Sequence, residues 1–135
     1  MSDLRSFIFL DQLQPQTLAY VASWMRGVLP RRNMAAQIIE VAPGLDIEGL
    51  TDVALKGANV SVGLLVVERQ FGYLEFHSSA TAEVKVGAQA VLDAIGAREE
   101  DASAPQILGS KVVTRVDHQH AFLINRNKLG SMILG

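Results

Sequence analysis

Residues Val60 to His77 read VSVGLLVV, then ERQFG, then YLEFH. Val60 to Val67 is a nearly continuous apolar run, the pattern of a strand covered on both faces. Glu68-Arg69-Gln70-Phe71-Gly72 interrupts it with charge and ends on glycine, a tight surface connection. Tyr73 to His77 then nearly alternates and returns as the second strand of a hairpin. The turn has two readings: a plain hairpin loop, or a loop that meets its own copies around a symmetry axis.

Downstream, Ser79 or Thr81 is placed to cap a helix. Val84, Ala88, Val91, Leu92 and Ile95 follow at i, i+4, i+7, i+8 and i+11, the clearest helical stripe in the chain. Gly96 ends it. Ala97 to Ala104 is a polar loop, and Gln106 to Val116 reads as a strand with a bulge at Gly109. Upstream, Met34 to Val41 reads as a strand, Pro43-Gly44 as a turn, and Asp46 as the cap of a helix with Ile47, Leu50, Ala54 and Ala58 on one face. Residues 34–116 therefore run strand, helix, strand, strand, helix, strand. That is the ferredoxin-like α+β pattern βαββαβ, an antiparallel sheet with helices on one face. Before it, residues 1–33 hold a strand at Arg5 to Leu10 and a helix that opens at Pro15, carries Leu18, Val21, Ala22, Met25 and Leu29 on one face, and stops at Pro30. After it, residues 117–135 form a tail, with a short strand expected at Ala121 to Asn125. One structural domain is expected overall.

Composition narrows the function. The chain has 135 residues, 49% hydrophobic and only 19% charged. That excludes a disordered chain. The charge deficit points to more buried surface than a small monomer provides, hence to an oligomer. Lys+Arg is 12 against Asp+Glu 14, so no basic excess is present for nucleic acid. Cysteine is absent, which removes disulfides, thiolate metal sites and cysteine nucleophiles. No signal peptide or bilayer-spanning run is evident, and a soluble, cytosolic protein is expected.

No catalytic constellation stands out, and no cofactor or metal is expected. His118 and His120 flank Gln119 and would share a face only in a strand; a zinc site needs three or four placed ligands. Asp46, Glu48 and Asp52 suit a helix start and its dipole better than acid–base work. Ser78-Ser79 beside His77 lacks a nucleophile-elbow motif. The glycines form neither a dinucleotide fingerprint nor a P-loop.

Taken together, Met34-Ala-Ala-Gln-Ile-Ile-Glu-Val41, the Pro-Gly turn, Asp52-Val-Ala-Leu-Lys56, Ala58-Asn-Val-Ser-Val-Gly63 and Ala82-Glu-Val-Lys-Val-Gly-Ala-Gln-Ala90 resemble the bacterial microcompartment shell domain. Arg5-Ser-Phe-Ile-Phe-Leu10 with Pro15-Gln-Thr-Leu-Ala-Tyr-Val-Ala22 resembles the strand-plus-helix leader of its circularly permuted members, from ethanolamine and propanediol compartments. Glu68-Arg69-Gln70-Phe71-Gly72 resembles their pore turn. The resemblance implies a non-enzymatic structural protein in a bacterial microcompartment of the cytoplasm. It implies a cyclic homohexamer that tiles edge to edge with other shell proteins around enclosed enzymes. Glu68, Arg69, Gln70, Phe71 and Gly72 would line the central opening, and Lys56 would sit at the tile edge. Arg5, Ser6, Phe7, Ile8, Phe9 and Leu10 would join a small barrel over the opening. The turn departs from the small, glycine-rich pore turn of unpermuted tiles, and residues 117–135 run past the permuted pattern. The alternative is a ferredoxin-like regulatory oligomer that binds a small anion between subunits through Arg69, Arg115 or Arg126. A small cofactor-free enzyme using His77 or His118 is the third class.

Overall fold

The computed structural model describes residues 2–126. It contains two units, Met1–Ala104 and Pro105–Gly135. The first holds strands β1 (Asp3–Leu10), β2 (Ala35–Ala42), β3 (Ser61–Val67) and β4 (Gly72–Ser78), with helices α1 (Pro15–Ala22), α2 (Asp46–Gly57) and α3 (Thr81–Ile95). The second holds α4 (His118–Arg126).

The sheet order is β1-β2-β4-β3 and every pairing is antiparallel. β2 and β3 therefore run parallel with β4 between them, joined through α2. This is a split βαβ unit. By the same logic β4 and β1 run parallel with β2 between them. A strand following α3 would complete that second split unit beside β2. The place is filled instead by β1, from the start of the chain. The chain leaving α3 then runs along β1, where the Ser103 N–H donates to the Arg5 carbonyl at 3.0 Å. The ferredoxin-like sheet is thus present in circularly permuted order.

The topology places Arg5 to Leu10 in the main sheet and corrects one expected strand. Phe7 faces Ile39 and Phe9 faces Gln37 in the ladder with β2, and Leu4 lies in the core. Gln106 to Val116 adds no strand, because β1 supplies the one expected of it. The division between the two units falls after Ala104, so Gln106 to Val116 lies in the second unit. Ala121 to Asn125 lies within α4, not in a strand.

The core sits between the sheet and the α2–α3 layer. Ile39, Val41, Leu74 and Phe76 rise from the sheet at i, i+2 spacing. Ile47, Leu50 and Ala54 meet them from α2, and Val84, Ala88, Val91, Leu92 and Ile95 from α3. The α3 stripe is as the sequence predicts. Gly96 closes α3 in the left-handed conformation, φ 65°. The caps differ by a residue or more. Leu45, not Asp46, is the N-cap of α2, and Asp46 accepts a 2.6 Å bond from the Ser2 hydroxyl instead. Ala80 precedes α3, with its N–H bonded to Ser78 Oγ at 3.1 Å.

The helix predicted to reach Leu29 ends at Ala22, and none of its residues is buried. The following chain turns back to β3, where the Arg26 and Gly27 N–H groups donate to the Gly63 carbonyl and Val28 to Val62. Tyr20 and Trp24 stack at 5.1 Å with a 54° tilt.

Candidate functional site

The turn between β3 and β4 is where the sequence places it. Glu68, Arg69 and Gln70 are exposed, Phe71 is half-buried and Gly72 is buried. The Glu68 N–H donates to the Phe71 carbonyl at 3.0 Å and closes the turn. Among the described residues, neither Glu68 nor Arg69 takes part in an ion pair, so both charges stand in solvent.

What holds the root of the turn was not visible in the local sequence. Gly44, from the Pro43-Gly44 loop after β2, presses its backbone against the Glu68 and Phe71 carbonyl oxygens, and a Cβ there would overlap both. On the sheet side, the Arg5 guanidinium carbon lies 5.5 Å from the centre of the Phe71 ring. Arg5 Nε also lies 3.6 Å from Glu40 Oε1. The Ser6 hydroxyl donates to Glu40 Oε2 at 3.2 Å. Glu40 opposes Tyr73 in the β2–β4 ladder. Burial first, then the carboxylates of Glu75 and Glu40, push the Tyr73 hydroxyl from 10.0 up to about 12. Tyr73 is neutral at physiological pH.

Glu75 and His77 follow Tyr73 on the same side of β4, 1% and 2% exposed. His77 Nδ1 donates to Glu75 Oε1 at 2.9 Å, while Nε2 is buried without a partner. This pair is sealed inside the protein, so His77 cannot serve as an open base. Ser78 is occupied at the entry to α3. His118 and His120 both lie on α4. At i, i+2 on a helix they diverge, so the two-histidine face of a strand does not form. Among the described residues no group of three or more His, Asp or Glu is placed to hold a metal ion, and no helix is long and apolar enough to cross a membrane.

Lys56 lies in the last turn of α2 with its side chain 76% exposed. It pairs with Asp52 Oδ2 at 2.6 Å, one helical turn back. Of the three arginines in the anion-binding alternative, Arg69 belongs to the first unit, and Arg115 and Arg126 to the second. Arg126 stacks over Phe122 at 5.1 Å.

The fold and the site together define a circularly permuted ferredoxin-like domain that presents an exposed, charged turn between β3 and β4. Residues 4–101 match the family described as the CsoS1D N-terminal domain. The chain belongs to that family of bacterial microcompartment shell proteins. It is 39% identical to the carboxysome shell protein CcmP of Synechococcus elongatus, over 98% of this chain and 62% of the relative. It is 40% identical to the carboxysome shell protein CsoS1D of Hydrogenovibrio crunogenus, over 99% of this chain and 66% of that one. Among solved structures, it superposes with TM-score 0.83 and 65% identity on the fused permuted hexameric shell protein MSM0275 of the RMM microcompartment. That match covers 96% of this chain and 64% of MSM0275. The double ringed trimeric shell protein MSM0271 of the same compartment matches with TM-score 0.81 and 39% identity, over 99% of this chain and 64% of that one. The chain thus spans less than two thirds of the length of the relatives it matches.

Proposed function

We propose that this protein is a non-enzymatic building block of a bacterial microcompartment shell in the cytoplasm. Its domain closes with its own copies into a cyclic homohexamer. The rings tile with other shell proteins around enclosed enzymes, without a cofactor. The observation that carries this reading is the permuted sheet shared at 65% identity with a shell protein described as hexameric. The trimeric neighbour makes three-fold closure the alternative outcome of the same mass measurement. Cyclic closure needs only one heterologous interface per subunit, which suits a small domain with few charges.

In this reading the Glu68–Gly72 turn of each copy faces the central axis. Copies of Glu68 and Arg69 then form acidic and basic rings that select solutes by charge. Arg69→Ala removes one positive charge per copy from a side chain with no ion-pair partner among the described residues. It should make the opening less favourable to anions and leave the ring intact. Light scattering and flux into assembled shells check both; loss of the ring would remove Arg69 from the axis.

Lys56 is assigned to the tile edge. Its pair with Asp52 is an exposed i, i+4 contact, worth about 0.5 kcal/mol or less to folding. Lys56→Ala should therefore leave melting unchanged and the rings whole, while abolishing extended sheets in negative-stain images. Sheets of undiminished size would take Lys56 out of the edge.

A further inference from the structure

We propose that Arg5 is a positioning residue for the Glu68–Gly72 turn, holding the Phe71 ring and so tying the charged tip to the permuted strand. The consequence for an opening rests on the shell reading above; the contact itself does not.

The β1–β2 ladder is irregular near its start. Leu4 pairs with Val41 and Ser6 with Glu40, so the register shifts between them. Arg5 is the residue left out of the pairing. A bulge of this kind bends the strand locally and re-aims a side chain. Here it sends the guanidinium toward the end of the sheet where β4 begins. Two groups receive it. Glu40 offers a carboxylate at 3.6 Å, itself held by the Ser6 hydroxyl. Phe71 offers a ring face at 5.5 Å, within cation–π range.

Phe71 is the residue through which the turn is fixed. Its carbonyl accepts the closing bond from Glu68. Its backbone is backed by Gly44, and it is followed directly by Gly72, the first residue of β4. Gly44 therefore limits the backbone, while Arg5 limits the ring. Arg69 and Gln70 beyond them are exposed. Because Glu40 pairs with Arg5, the contact adds little net charge of its own. The planar guanidinium suits this double role, stacking on a ring while bonding a carboxylate; an ammonium keeps the charge and loses the stacking geometry.

Amide hydrogen exchange on the assembled protein tests this. In Arg5→Gln, exchange in residues 68–72 should rise roughly five-fold, the size expected for losing one exposed cation–π contact. The β1–β2 ladder should keep its protection. Phe71→Leu should reproduce the effect, Glu40→Gln should show a weaker one, and Arg5→Lys should be intermediate. The double variant Arg5→Gln with Phe71→Leu should exceed neither single change. Unchanged exchange in the turn would overturn the proposal. So would a rise spread equally over residues 3–10 and 35–42, which marks a loosened edge strand and nothing more. If Arg5→Gln does not fold, Phe71→Leu and Glu40→Gln decide the matter by the same criteria. Solution mass and images of the same samples show separately whether rings form, so a failure of the shell reading is distinguishable from a failure of this contact.

Discussion

Removal of residues 2–10 is expected to unfold the first unit. β1 closes the sheet beside β2, pairing with it from Asp3 to Leu10. Leu4 is part of the core, and Phe7 and Phe9 pack against it. Burying one leucine and two partly buried phenylalanines contributes on the order of 5 kcal/mol. That is comparable to the whole stability of an ordinary domain. Deletion would also strip one edge of β2 of its backbone partners, leaving only the ladder with β4, and open Ile39 and Val41 to water, both 0% exposed in the intact fold. Far-UV circular dichroism with thermal melting checks this. The truncated chain should lose its cooperative transition; a truncated chain that still melts sharply would show β1 to be dispensable.

The second large effect is expected from one methyl group. Gly44→Ala places a Cβ against the carbonyl oxygens of Glu68 and Phe71. These are backbone atoms and cannot swing aside. The loop after β2 or the turn itself must move, at a cost of about 3 kcal/mol, the upper end of ordinary overpacking. Gly49→Ala is the control. Gly49 lies inside α2 with open space around its Cα. There the same change should stabilise by about 0.5–1 kcal/mol, the helix-propensity difference. Denaturant unfolding should show the two midpoints moving in opposite directions at similar m values. A neutral Gly44→Ala would mean that the turn is not braced by this loop.

Much of this architecture was legible because its elements are strongly patterned. The α3 stripe from Val84 to Ile95 and the apolar run before Glu68 leave little choice of secondary structure. The turn was legible too, as a charged interruption between apolar strands. Pairing was harder. Arg5 to Leu10 reads as a strand, but nothing local says that its partner is β2 rather than a copy in another subunit. Gln106 to Val116 has strand composition, and its expected place beside β2 is filled by β1. Ala121 to Asn125 carries Phe122 and Ile124, which favour strands by composition, yet the segment is helical. The supports of the turn were hidden because they are long-range: Gly44 meets Glu68, and Arg5 meets Phe71, only after folding. Glu75 and His77 show another limit. Their i, i+2 spacing in YLEFH looks like a polar outer face. In the structure both are buried and bonded to each other.

The most direct test of the central claim is the mass of the protein in solution by light scattering, with negative-stain images of the same sample. A ring-shaped assembly with six domain positions about its axis is expected, and it should go on to form sheets without added ligand. A stable monomer or dimer that never forms rings would contradict it. The weight would then move to an anion-binding regulator, whose melting temperature rises with its ligand.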